Sequence, residues 1–501
     1  MTTLLQTLLV TVVALPAAGA IVVALMPASR DRGARIVATL FAAAGLVAAL
    51  VLVLWPYLRG VGGDPMLEPW AEIDAAWVPA LGVDFHLGVD GLSAPLVVLT
   101  ALLTLLCCAY TVGKVPAGGS GRTLAGLLLV LEAGILGTFL ALDLVLFFVF
   151  FEVVLLPMYA VIAGWGGPDR RRAARKFVLY TLFGSVLLLL GVFTVVVAAG
   201  TGDMLALAGG FGLSHTTQYV AFALFAVAFA VKAPLWPLHS WLPDAHTEAP
   251  TVGSVILAGV LLKMGTYGLI RVGVGVAPEG AVWASPVLGI LAVAAILVGS
   301  LVCLRQTELK RLIAYSSVSH MGFVLLGIAT HTVTGLQAAL IGNIAHGVIT
   351  GLLFFLAGAI KDRTHTGALA DLGGLRETAP RLAGLVGFAA IASLGLPGLA
   401  GFWGEAFAVV AAVERGGGLW LTLAVLAAIG GALTAVYFLR LLRRVTHGPA
   451  TPAVTGVTPV SRPEWWAWSP LILLALAVGL VPALALTGTL DPLAALTGAL
   501  R

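Results

Sequence analysis

The chain has 501 residues, of which 60% are hydrophobic and only 10% charged. Soluble domains average about 25% charged residues, so composition excludes a soluble enzyme and indicates an integral membrane protein. The formal net charge of +4 reflects where basic residues sit relative to the membrane and points to no nucleic-acid partner.

Runs such as "LLLVLEAGILGTFLALDLVLFFVFFEVVLLPMYAVIAG" are continuously apolar rather than alternating. Backbone groups in lipid must find partners inside their own segment, so such runs predict helices. The expected fold is an all-α polytopic membrane protein. At roughly 20 residues per span, crossings are predicted near 3–26, 35–58, 89–110, 122–141, 143–163, 175–199 and 217–242. Seven more follow near 253–272, 284–304, 311–330, 334–360, 382–413, 418–440 and 467–488, which makes fourteen. The first run is full length and lacks a basic start, so it is expected to be a span rather than a signal peptide.

Basic residues support this count. With the N-terminus outside, the inner segments hold almost every lysine and arginine, including the run Arg170, Arg171, Arg172, Arg175 and Lys176. Only Arg59, Arg271, Arg415 and Arg501 fall outside, while Lys232 and Lys263 lie within spans. Both termini are expected outside. Cys107 and Cys108 are adjacent and Cys303 stands alone, without the ligand spacing that zinc, haem or Fe–S sites use. No metal or redox cofactor is expected on this chain, and the lack of a Walker A motif argues against an ATP-driven pump.

The fourth to eighth and ninth to thirteenth spans form two sets of five, and an odd number makes the second set enter the membrane inverted. In each set the fourth member is broken, by Pro234 and Pro237 in the seventh span and by "LGLPGLAGFWGE" in the twelfth. Matching breaks in two halves point to inverted repeats of a transporter. The expected organisation is a three-helix segment at 1–121, half-channels at 122–275 and 276–445, and a loop with a last helix at 446–501.

A charge at the bilayer centre costs about 2.5–3.5 kcal/mol on insertion scales, so the charged residues in spans are the candidate site. Glu152 is too short to reach the surface. Lys232, two residues before Pro234, makes with it an expected buried ion pair. Lys263 has no acid within helical reach on its own span, which suits a tunable proton carrier. His320 and His346 share their faces with Ser316 and Asn343 and suggest hydrated paths. Glu405 follows the second break. Glu132 and Asp143 are auxiliary candidates, Asp143 equally readable as a helix cap. Asp244, His246 and Glu248 are expected in a solvated loop at the cytoplasmic surface. Glu152, Lys232, Lys263, His320, His346 and Glu405 fall at similar depth, which describes a lateral proton relay.

"FFEVVLLPMY", "VKAPLWPLHSWLPDAHTEAPT", "LAGVLLKMGTYGLIR", "RLIAYSSVSHMGF" and "NIAHGVITGLLFFLAG" together resemble the antiporter-like subunits of respiratory complex I, from about Asp143 to Arg444. The resemblance implies a proton channel of two half-channels joined by a central polar axis. Glu152 and Lys232 take the place of its controlling ion pair, Lys263 of its central lysine, His320 and His346 of its connecting histidines, and Glu405 of its outward acid. It also implies FMN, Fe–S clusters, NADH and quinone on or between other subunits, none on this chain. The implied partners are membrane lipid and the other membrane subunits, chiefly the neighbouring subunits L and N. The implied location is a bacterial inner (plasma) membrane. A Mrp-type Na+/H+ antiporter subunit, a membrane-bound hydrogenase subunit and a passive scaffold remain as alternatives.

Overall fold

The computed structural model describes residues 2–58, 69–79, 82–486 and 498. Arg59, Arg501, the acids Asp64 and Glu68, the far end of the fourteenth span and the C-terminus lie outside the described residues. Among the described residues, twelve helices are long and apolar enough to cross a membrane, from Thr3–Leu25 to Arg462–Leu480. Their apolar faces are turned outward as well as inward. On the helix Arg170–Ala199, Leu179, Phe183, Val186, Leu190, Phe193 and Val197 are exposed at helical spacing, the face such a helix offers to lipid.

The two expected spans absent from the twelve are the seventh and the twelfth, and both are interrupted. Helix His215–Lys232 stops on Lys232, and the chain resumes as Trp241–Glu248. Pro234 and Pro237 cannot donate to a helical ladder, so carbonyls of the last turn need other partners. Trp241 Nε1 donates to the Val231 carbonyl at 2.9 Å, and the Leu235 amide donates to Ala230 at 2.9 Å. The twelfth span divides into Pro380–Ser393 and Ala400–Arg415. Between them Gly395 and Gly398 adopt φ of +78° and +91°, a backbone that side chains with a Cβ rarely take.

The eighth span, Thr251–Val274, is buried along its core on every side. Its backbone widens into π-helical turns at Leu257–Leu261 and Leu269–Val274, with an α-helical stretch carrying Lys263 between them. π-turns are uncommon and concentrate at functional sites.

The helical architecture is joined by one β element. Strands Ala71–Val78 and Val83–Val89 pair antiparallel, with Asp74 opposite His86. Val83, Phe85, Leu87 and Val89 alternate with polar or small residues, a period of two that a search for continuous apolar runs passes over. The hairpin packs at one end of the bundle, where the Gly202 amide donates to Gly82 at 3.3 Å. That end lies a full 30-residue helix away from the arginine run at Arg170.

Candidate functional site

Asp143 does cap a helix. Its Oδ1 accepts from the amides of Val145 at 2.8 Å and Leu146 at 2.9 Å, starting the helix Leu144–Val153. That helix ends just past Glu152, where Val154 interrupts it before Leu155–Trp165 and Pro157 removes a ladder donor. Glu152 is therefore carried at an irregular turn, which leaves its side chain free of a fixed helical neighbour.

The expected Glu152–Lys232 ion pair is not made in this structure: no N–O contact within 4.0 Å joins them. Glu152 Oε1 instead accepts from the Ser185 hydroxyl on the helix Arg170–Ala199. The Lys232 ammonium lies 4.5 Å from the centroid of Phe151, a cation–π contact. Lys232 is 3% exposed. Each charge has an alternative partner, and that is why both are tolerated apart.

Lys263 is fully buried. Its Nζ is 2.5 Å from the Ala258 carbonyl, in the neighbouring π-turn, and 2.6 Å from His346 Nδ1. An ammonium only donates, so His346 Nδ1 accepts from it and the imidazole proton sits on Nε2. That Nε2 is buried without a hydrogen-bond partner in the protein. One turn away, Thr266 donates to Asn343 Oδ1 at 2.9 Å.

The next ring is His320, whose centroid is 5.9 Å from that of His346. His320 Nδ1 is 2.9 Å from Glu405 Oε1, and Nε2 is 3.1 Å from the Ser393 hydroxyl. His320, His346, Ser393 and Glu405 all line one cavity of about 30 Å³, room for about two waters. Lys263, His346, His320 and Glu405 thus form one series, running from fully buried Lys263 to part-buried His320 and Glu405, with a single gap at the cavity.

Close helix contact makes the series possible. A Cβ at Gly347, next to His346, would stand 2.7 Å from the Gly259 carbonyl on the Lys263 helix. A Cβ at Gly404, next to Glu405, would stand 2.6 Å from the Gly342 Cα on the His346 helix. Small residues of this kind let membrane helices approach backbone to backbone.

Glu132 stands apart from this series. It is fully buried and both carboxylate oxygens lack a hydrogen bond. The expected solvated loop at Asp244, His246 and Glu248 is overturned. These residues form the helix Trp241–Glu248, and His246 is fully buried, stacked on Phe354 with centroids 4.4 Å apart. The prolines place the break earlier, and Trp241, Leu242 and Ala245 give the new helix an apolar face that the polar letters between them conceal. Asp244 meets Lys176 at 2.7 Å and Arg311 at 3.3 Å. Arg271, expected among the outside charges, is buried and paired with Asp90, its Nε donating to the Tyr267 hydroxyl at 3.2 Å. Sequence reasoning also missed Ser185, Ser393 and the buried Lys310, whose Nζ donates to the Ala249 carbonyl at 2.8 Å. Isolated serines give no signal in a sequence, and Lys310 stands among polar and charged neighbours, but Arg271 sits inside an apolar run and was detectable.

The family described as "NADH:quinone oxidoreductase/Mrp antiporter, TM" matches residues 141–431. NAD(P)H-quinone oxidoreductase chain 4 1 of Synechococcus sp. (strain JA-3-3Ab) is 43% identical over 427 residues, covering 83% of this chain and 80% of that protein. NADH-quinone oxidoreductase subunit M of Rhodobacter capsulatus is 39% identical over 500 residues, covering 96% and 94%. Among solved structures, a chain of respiratory complex I from Thermus thermophilus superposes with a TM-score of 0.86 at 32% identity, covering 98% of this chain and 100% of that one. A chain of the Mrp complex from Dietzia sp. DQ12-45-1b superposes with a TM-score of 0.84 at 26% identity, covering 100% of both. The chain belongs to the NADH:quinone oxidoreductase/Mrp antiporter transmembrane family.

Proposed function

We propose that this chain is the antiporter-like, M-type membrane subunit of a proton-pumping NADH:quinone oxidoreductase in a bacterial plasma membrane. Its relatives named chain 4 and subunit M, matched over most of their length, support this reading over a Mrp-type subunit. Oxidation of NADH and reduction of quinone occur on other subunits, and the neighbouring subunits L and N transmit the drive. The two half-channels correspond to 122–275 and 276–445.

The observation that carries the mechanism is the series from Lys263 to Glu405. Lys263 delivers a proton to His346 Nδ1, and the imidazolium releases the proton on Nε2 into the cavity. Water there protonates His320 on the side facing Ser393, while the proton on Nδ1 passes to Glu405 Oε1. Each ring accepts on one nitrogen and releases from the other, so one proton passes without a side chain travelling, and each ring then returns to its starting tautomer before the next. Upstream, Glu152 and Lys232 act as the switch. When Glu152 leaves Ser185 for Lys232, it holds the lysine's proton; in the separated arrangement seen here that proton is released toward Lys263. Outward movement against a potential requires about 2.3 kcal/mol per charge per 100 mV, which the redox subunits supply.

The test is Glu405→Gln and Lys263→Ala in the assembled complex, reconstituted in proteoliposomes. NADH-driven acidification should fall at least fivefold in each. Normal pumping and quinone reduction in an intact complex would reject the relay and favour a scaffold.

A further inference from the structure

We propose that His86, Asp203 and Asp74 form a zinc-type divalent-cation site at the hairpin end of the bundle, with Glu72 orienting the imidazole. His86, on the strand Val83–Val89, is only 1% exposed. Its Nε2 lies 2.7 Å from Glu72 Oε1, so that nitrogen carries the proton and donates, leaving a lone pair on Nδ1. Nδ1 lies 3.2 Å from Asp203 Oδ2, yet out of hydrogen-bond alignment, and is buried with no hydrogen bond. A lone pair held against a carboxylate oxygen is repulsive, so either a second ring proton or a metal ion belongs between them. The separation also fits a metal: zinc bonds of about 2.0–2.1 Å at tetrahedral angles set donors about 3.3 Å apart.

A third donor lies nearby, and its exposed side chain can close on an ion. Asp74 faces His86 directly across the hairpin, and one donor atom from each of Asp74, His86 and Asp203 lies within 4.8 Å of the others. Asp203 Oδ1 accepts from the amides of Leu205 at 2.7 Å and Ala206 at 2.9 Å, which fixes the residue and leaves Oδ2 for the ion. Asp74 is exposed, so the site opens to solvent for loading and for a water as fourth ligand. One imidazole with two carboxylates suits zinc better than calcium or magnesium, which take oxygen donors. A carboxylate on the far nitrogen is the usual support of a metal-binding histidine.

A bound ion would fasten the hairpin to the loop around Asp203, which is bridged to Asp143 at the start of the Glu152 helix. The three donors, at positions 74, 86 and 203, have no local motif spacing, so only folding brings them together. The full-length chain in lipid nanodiscs, stripped with chelator, should be titrated with Zn2+ against a chromophoric competitor and with Co2+ by absorption. One site is expected, with tetrahedral Co2+ bands. Asp203→Asn and His86→Ala should weaken Zn2+ binding at least tenfold, and Glu72→Gln by about 10–100-fold. Asp74→Asn, at an exposed position that does not endanger folding, should weaken it several-fold. Unchanged affinity in both Asp74→Asn and Asp203→Asn, or a wild-type chain that takes up no Zn2+ below millimolar concentration, would overturn the site. The cluster would then be a protonated imidazole shared by carboxylates.

Discussion

Lys263 meets a histidine where a buried lysine usually meets an acid. A neutral partner satisfies the ammonium by a hydrogen bond at 2.6 Å without the Coulomb attraction that would lock the proton in place. His320 is held at both ring nitrogens, touching the Glu405 carboxyl with one and the Ser393 hydroxyl with the other. His320→Ala should therefore cut NADH-driven proton pumping at least fivefold while leaving assembly intact, measured as acidification against complex content. Ser185 is a finer probe. A hydrogen bond from a hydroxyl to a carboxylate is of a kind worth about 1.5–3 kcal/mol, and Ser185→Ala removes this partner of Glu152. Glu152 should then favour Lys232, with slower pumping per quinone reduced; an unchanged ratio would deny Ser185 a part in the switch. The relay residues were legible because ionisable side chains are rare in apolar runs. Their partners were not, since the contacts join residues 85 and 83 positions apart.

Helices in this protein are shaped as much by their interruptions as by their lengths. The seventh and twelfth spans break where Pro234, Pro237, Gly395 and Gly398 stand, and both breaks were readable because proline and glycine act locally. The π-turns around Lys263 and the helix Trp241–Glu248 were not, since surrounding packing decides them. Close crossings at glycine carry the relay geometry. Gly404→Ala should push the Glu405 helix from Gly342 and lengthen the His320–Glu405 contact. We expect lowered thermal stability and pumping reduced several-fold, read by unfolding of the purified complex and by acidification. At the other edge, Arg363 grips Glu464 with two bonds of 2.8 and 2.7 Å, tying the last helix to the His346 helix. Arg363→Ala should lower stability by about 1–3 kcal/mol with pumping per assembled complex unchanged, which separates a structural ion pair from the relay.

Across the whole molecule, eleven long apolar helices and two broken spans, among the described residues, accompany one fully buried central helix, Thr251–Val274. On the proposed function the redox energy comes from other subunits, and transport should answer to them. The isolated complex should show NADH-dependent proton movement and no sodium-driven exchange in its absence; sodium-driven exchange without NADH would instead favour a Mrp-type role. Composition, span positions, the two breaks and the choice of candidate relay residues follow from the sequence alone. Those properties depend on local chemistry and on the expense of placing charge in lipid. The hairpin, the burial of His246, the Asp90–Arg271 pair, the separation of Glu152 from Lys232 and the series from Lys263 to Glu405 across the cavity were decided only by tertiary structure. Each depends on which distant surfaces meet, and the freedom of helices to rotate and slide against one another leaves that undetermined until the bundle is packed.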